Sequence, residues 1–166
     1  MLLKNIFIVF ILTVFSLNAF ANTPRSTGKY KNWESFAVET DQGKICFAQT
    51  LPTKRAPSSI KREKSKLFVT FRPSENIKDE VSLTSGHDYK TSTVTASSGK
   101  RRYSFFSQKN FAWLLDDQEE RKFIQLMKKA TDIIVKARTT KGAETTDHYS
   151  MMGFTKAYNT AKKTCG

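Results

Sequence analysis

Glycine and proline are scarce in this chain of 166 residues, at seven and four positions, and neither an internal repeat nor a low-complexity tract occurs. That excludes a repeat array and a flexible linker between two domains. The few glycines form no glycine-rich phosphate loop, no dinucleotide fingerprint and no Gly-x-Ser-x-Gly elbow, so nucleotide binding and elbow-type hydrolysis both lack their backbone element. Histidine and cysteine are rarer still, with two each: His87, His148, Cys46 and Cys165. None falls in a cluster with ligand spacing, which leaves zinc without the three or four ligands it takes. Past residue 21 no apolar run approaches the length of a membrane span.

What the N-terminus does carry is one short apolar segment. Lys4 precedes a run from Ile6 to Leu17, and Ala19-Phe20-Ala21 places small residues at the −3 and −1 positions of a cleavage site before Asn22. This is the pattern of a secretory signal peptide over residues 1–21. About twelve apolar residues at roughly 1.5 Å each are too few for an anchor across roughly 30 Å of hydrocarbon. Cleavage leaves residues 22–166, a length suited to one domain around one core, in the periplasm or at the cell surface. Residues 22–31 have little to bury and are expected to form a loose leader.

An exported chain with an even cysteine count is biased toward a disulfide, here between Cys46 and Cys165. Closing a loop of roughly 120 residues contributes about 4 to 5 kcal/mol on the chain-entropy model.

Acidic residues are also short in number. Removing Lys4 with the signal leaves 27 basic against 15 acidic residues, which lowers the net charge from +13 to +12. The basic residues cluster at Lys54-Arg55, at Lys61-Arg62 with Lys64 and Lys66, at Lys100-Arg101-Arg102, and across Lys136, Arg138 and Lys141. Such a surface attracts polyanions. In an exported protein the expected partner is an anionic envelope component, and Lys100, Arg101, Arg102, Arg138 and Lys141 are the candidate contacts. No helix-turn-helix, zinc-finger or aromatic RNA-binding signature occurs, so no specific nucleic-acid partner is expected.

Alternating residues predict a mainly β fold with two helices: an antiparallel sandwich or barrel-like single domain ending in a C-terminal helix. Strands are expected at Trp33 to Val38, Lys44 to Leu51, Lys66 to Arg72, Val81 to Ser85, around Tyr89 to Thr95, Arg101 to Ser107 and Asn110 to Leu115. Pro52 to Lys66 reads as a long exposed loop. Asp116 or Asp117, with Glu119 or Glu120, predicts a capping box opening a helix whose Phe123, Leu126, Met127 and Ala130 share a face. The second helix starts near Gly153 and aligns Phe154, Ala157, Tyr158, Ala161 and Cys165. Capping also accounts for these paired carboxylates without acid/base chemistry.

Between the helices stands TTDHYS, residues 145–150, on the second strand of a hairpin formed by Ile133 to Arg138 and Glu144 to Met151. Strand alternation sends Thr145, Asp147 and Tyr149 one way and Thr146, His148 and Ser150 the other. Asp147 therefore cannot orient His148 toward Ser150 as a hydrolase triad requires. Thr145, Thr146, Asp147, Tyr149, Gly153 and Phe154 read as a structural motif that fixes how the last strand turns into the last helix.

The run from Val135 to Tyr158, VKARTTKGAETTDHYSMMGFTKAY, resembles the C-terminal signature of the invasion-associated locus B family. That signature has a Val-Lys-Gly strand, a turn near Arg-Gly, then Thr-Thr-Asp-x-Tyr-Ser-Leu-x-Gly-Phe and a terminal helix. Phe111-Ala112-Trp113 before the acidic helix cap, and Trp33 opening the first strand, extend the likeness. Ala137 stands where the family often has glycine, Met151 where leucine is frequent, and Ala37 near a frequent extra cysteine. The resemblance implies an exported, β-rich, periplasmic or surface protein of Gram-negative bacteria, linked in pathogens to host-cell invasion, with no enzymatic activity and no cofactor. The function expected is thus a non-enzymatic envelope protein that binds an acidic partner. The alternatives are a structural or chaperone-like partner of other exported proteins and, behind that, a small periplasmic hydrolase.

Overall fold

The computed structural model describes residues 23–166, and the signal segment expected at residues 1–21 lies outside the described residues. In chain order the strands are β1 (Arg25–Tyr30), β2 (Trp33–Thr40), β3 (Gly43–Thr50), β4 (Lys54–Ala56), β5 (Lys66–Arg72), β6 (Ile77–Thr84), β7 (Val94–Ser98), β8 (Arg101–Gln108), β9 (Phe111–Trp113), β10 (Asp132–Arg138) and β11 (Glu144–Ser150). The helices are α1 (Asp117–Lys129) and α2 (Phe154–Cys165).

All eleven strands join one antiparallel sheet in the order β1-β2-β3-β5-β6-β9-β8-β7-β10-β11-β4. The indole N–H of Trp33 on β2 donates to the Ser150 carbonyl of β11 at 2.9 Å, and the Asn32 N–H reaches the Met152 carbonyl at 3.2 Å. Strands near opposite ends of that order therefore meet, and the sheet curls into the expected barrel-like form. Alternation decides its two sides. Trp33, Cys46, Ala48, Leu67, Val69, Val81, Leu83, Val94, Ala96, Ile133, Val135 and Tyr149 all turn inward and are buried.

The helices complete this core. Phe123 of α1 meets Tyr103 and Phe105 edge-on, with ring centroids 5.0 and 5.6 Å apart, and Phe154 of α2 lies 4.8 Å from Trp33. The Asp116 carboxylate caps α1 by accepting from the Glu119 N–H at 2.9 Å. The Glu119 side chain, however, pairs with Lys122 at 3.1 Å instead of reaching back, so the expected box is half made. Cys46 on β3 and Cys165 at the end of α2 form the disulfide, with their Cα atoms 5.8 Å apart. It fastens the last helix to the inner face of the sheet.

Three expectations need correcting. The leader at residues 22–31 is largely strand β1, paired along β2. An edge strand can be held by backbone bonds and hydroxyls with little apolar surface of its own: the Ser26 hydroxyl donates to Glu34 at 2.7 Å and Thr27 to Ser35 at 2.9 Å, and Tyr30 alone packs on the core. The exposed loop from Pro52 to Lys66 contains β4, which pairs with β11, and carries an arginine, Arg62, into the interior. The strand expected around Tyr89 to Thr95 is only a bridge between Tyr89 and Thr139, with β7 starting at Val94.

Candidate functional site

On β11 the alternation runs as its residues require: Thr145, Asp147 and Tyr149 are buried, while Thr146, His148 and Ser150 lie half-buried on the outer side. Asp147 is 1% exposed, and a carboxylate so placed must be paired. Its partner is Arg62, whose Nη1 and Nη2 donate to the two carboxylate oxygens at 2.8 and 2.6 Å. Arg62 also donates to the Ser85 carbonyl at 3.0 Å and the Ala56 carbonyl at 3.3 Å, so one guanidinium ties β4, the crossing loop and the end of β6 to β11. Arg55 adds charge at 3.8 Å from Asp147, too far for a hydrogen bond.

Hydroxyls surround this pair. Tyr89 donates to Ser85 at 3.0 Å, and His87 Nε2 lies 3.0 Å from the Thr145 hydroxyl. Burial pushes Tyr89 up to about 12 and Tyr149 well above its usual range, so both phenols stay protonated and neither serves as a base. Asp147 faces inward and His148 outward, so these two neighbours do not form the acid–histidine pair of a triad. Thr145, Thr146, Asp147 and Tyr149 were expected to fix the turn into the last helix, but Asp147 and Thr146 make their contacts elsewhere. Asp147 secures the loop that carries β4, and Thr146 pairs with Ala56 of that strand. The corner into α2 belongs to Gly153 and Phe154. Gly153 has φ 96°, and a Cβ there would fall 1.8 Å from the Tyr30 carbonyl oxygen. No other residue fits.

The five candidate contacts do not form one patch. Lys100 sits in the β7–β8 turn and Lys141 in the β10–β11 turn. Register pairs Arg102 with Ser97 and Ser97 with Ile134, whereas Arg138 lies four residues further along β10, roughly 13 Å away at about 3.3 Å per residue. Arg101 turns to the other side and lines a groove with Arg121 and Lys122 of α1. The two sequence clusters fall on two different hairpins whose turns lie at opposite ends of the sheet.

Register instead assembles a different set on the outer side of β4, β11, β10, β7 and β8. One row across these strands reads Lys54, His148, Ile134, Ser97, Arg102, and the row beside it Ala56, Thr146, Lys136, Thr95, Ser104. Lys54, Lys136 and Arg102 have no carboxylate partner among the described residues, whereas Arg138 has Glu144 at 3.7 Å. The row from Lys54 to Arg102 crosses four strand spacings, about 19 Å. Lys54 and Lys136 stood in the sequence clusters but not among the candidate contacts, because strand order, which brings β4 beside β11, is not written in local pattern.

The outer side of the other half differs in kind. Phe36, Phe47 and Phe68 stand on adjacent strands, with Phe36 stacked on Phe47 at 5.2 Å and Phe47 edge-on to Phe68 at 6.2 Å. Phe68 is opposite Ser82, Ser82 opposite Trp113, and Trp113 opposite Phe106 at 5.2 Å between rings. Phe106 and Phe111 are 45% and 46% exposed. Phe68 and Phe71 at opposite parities of β5, beside Phe47 on β3, were the available signal, in a chain with 13 phenylalanines.

A cleft of about 620 Å³ lies beside α1, lined by Asp79, Glu80, Asp117 and Glu120 together with Lys78 and Arg121. Glu120 Oε1 accepts from the Val81 N–H at 2.9 Å, and burial pushes its carboxyl up to about 7. Among the described residues no group of histidine, cysteine and acidic side chains is arranged to hold a metal, and no helix is long and apolar enough to cross a membrane. No protein-family model, curated protein or solved structure matches the chain.

Proposed function

We propose that this is an exported, non-enzymatic envelope protein that docks on an anionic surface through the outer side of β4, β11, β10, β7 and β8. The observation that carries the reading is the two adjacent cross-strand rows that hold three cations without carboxylate partners among the described residues, Lys54 and Arg102 in one and Lys136 in the other, on one side of the sheet. A disulfide suits an oxidising compartment outside the cytoplasm, and the resemblance of residues 135–158 to the invasion-associated locus B family points the same way. Each cation near an anionic lipid surface contributes about 1 kcal/mol, so three give a weak, salt-sensitive attachment.

Cosedimentation of the chain from residue 22 with vesicles containing anionic lipid or lipopolysaccharide tests this. Binding is expected at low salt, to weaken as salt rises, and to fall by about a hundredfold in the Lys54→Glu/Arg102→Glu/Lys136→Glu triple variant. Equal binding by the parent and the triple variant would refute it. A hydrolase is the second reading, favoured by one observation: a carboxyl, Glu120, with a raised pKa in a cleft. Turnover of a chromogenic ester or glycoside that vanishes in a folded Glu120→Gln variant would prefer it.

A further inference from the structure

The aromatic half of the outer surface encloses a groove of about 530 Å³, within the roughly 300 to 1,000 Å³ of small-ligand sites. Its walls are Phe47, Phe68, Phe111 and Trp113. Thr70 and Ser82 contribute hydroxyls, and Arg72 and Glu80 close one end. Arg72 donates to Glu80 at 2.7 and 3.2 Å and to Glu75 at 3.2 Å. Lys66 stands 5.8 Å over the Phe68 ring. Two cations and two carboxylates border the groove, so on a chain of net charge +13 this region is locally neutral.

We infer that this groove binds a neutral saccharide, one or more pyranose rings of an uncharged glycan. Charge complementarity argues against a polyanion, since Arg72 is held by two carboxylates, Glu75 and Glu80, and their two negative charges offset those of Arg72 and Lys66. An acyl chain or a greasy peptide would bury the two hydroxyls and the Arg72–Glu80 pair without replacing the water they lose, at a cost of about 1 to 3 kcal/mol for each orphaned group. A pyranose has what the lining asks for. Its axial C–H faces are apolar and lie flat on aromatic rings, while its equatorial hydroxyls project sideways toward donors and acceptors. Trp113 and Phe68 flank Ser82 across the strands, so a ring laid between them meets the hydroxyl and, further along, Arg72 and Glu80. This site stands apart from the basic rows, and either proposal can fail without the other.

Tryptophan emission provides the test, because the chain has two tryptophans and Trp33 is fully buried while Trp113 lines the groove. A panel of neutral hexasaccharides built from glucose, galactose, mannose or N-acetylglucosamine is titrated to millimolar concentration. At least one is expected to shift Trp113 emission, with an affinity unaffected by salt and lowered about tenfold in Phe68→Ala or Phe47→Ala. Trp113→Phe, which keeps an aromatic wall, is expected to retain binding by calorimetry, whereas Trp113→Ala loses it. Lys136→Glu leaves saccharide binding intact, which separates this site from the anionic surface. No response to any of the hexasaccharides overturns the inference. So does a monomer–dimer equilibrium abolished by Phe68→Ala, which would assign the surface to a second copy, or displacement of a bound saccharide by an apolar peptide in preference to other sugars.

Discussion

Two halves of one sheet share an inner side and differ on the outer. Under both, alternate residues pack a continuous core. Above β2, β3, β5, β6 and β9 stand Phe36, Phe47, Phe68 and Trp113; above β4, β11, β10 and β7 stand lysines, threonines, serines and a histidine. Strand β8 is the seam, since its outward residues run from Arg102 through Ser104 to Phe106. Burial of the inner side folds the chain and is indifferent to this change, so the outer side was free to be specialised. On the aromatic half Arg72 is held by Glu75 and Glu80, whereas on the basic half Lys54, Lys136 and Arg102 have no carboxylate partner among the described residues. The two halves therefore differ in what salt should do to them: a strong effect on one, none on the other.

Each half also has its own fastening, and cutting them separately sharpens the contrast. The largest effect is expected at the disulfide, which joins β3, beneath the aromatic half, to α2. Cys46→Ser with Cys165→Ser should cost about 4 to 5 kcal/mol on the loop-entropy model, read from the urea midpoint. Hydrogen exchange should rise first in α2 and β1, because Tyr30 on β1 reaches Thr160 of α2 at 2.8 Å. A loss under about 1 kcal/mol would show that helix packing alone holds this side.

Second in size is the lock beneath the basic half. Asp147→Asn strands the Arg62 guanidinium in the interior, and breaking a buried pair in this way costs about 3 to 5 kcal/mol. The expected signature is local: β4 and residues 57–65 gain exchange while β2, β3 and β5 do not, and vesicle binding weakens because Lys54 loses its place in the row. An Asp147→Leu/Arg62→Met double variant should recover much of the stability. Uniform destabilisation across the sheet would dissolve the distinction between the halves.

How much of this was legible in the sequence follows the same division. Parity within a strand is local, so the grouping of Asp147 with Tyr149 on the side opposite His148 could be read directly, although which side is buried could not. The disulfide followed from cysteine number and expected compartment. Strand order is non-local, so the row linking Lys54 to Arg102, the burial of Arg62 and the aromatic surface assembled from five strands could not. An arginine eighty-five residues from its carboxylate leaves no periodic trace. Edge strand β1 was missed for the opposite reason: backbone pairing to β2, three side-chain hydrogen bonds and one aromatic, Tyr30, hold it, and so few side chains leave no alternating apolar pattern.

The smallest effect expected is a pH dependence confined to the aromatic half, where Glu120 of α1 accepts from the Val81 N–H of β6. Burial raises its carboxyl from the ordinary 4.5 to about 7, opposed by that hydrogen bond and reinforced by Glu80, Asp117 and Asp79 nearby. The folded chain thus holds this proton more tightly than the unfolded chain does. The stability it contributes is complete below about pH 4.5 and is lost as pH rises through about 7. Glutamine keeps the acceptor for Val81 and cannot ionise, so the stability of Glu120→Gln relative to the parent should rise across that window and level off above it. Taking the difference between the two proteins at each pH removes every other titrating group. A difference that stays constant from pH 4 to 8 would mean that Glu120 ionises as freely as an exposed carboxylate, and that α1 does not bury it against β6 in solution.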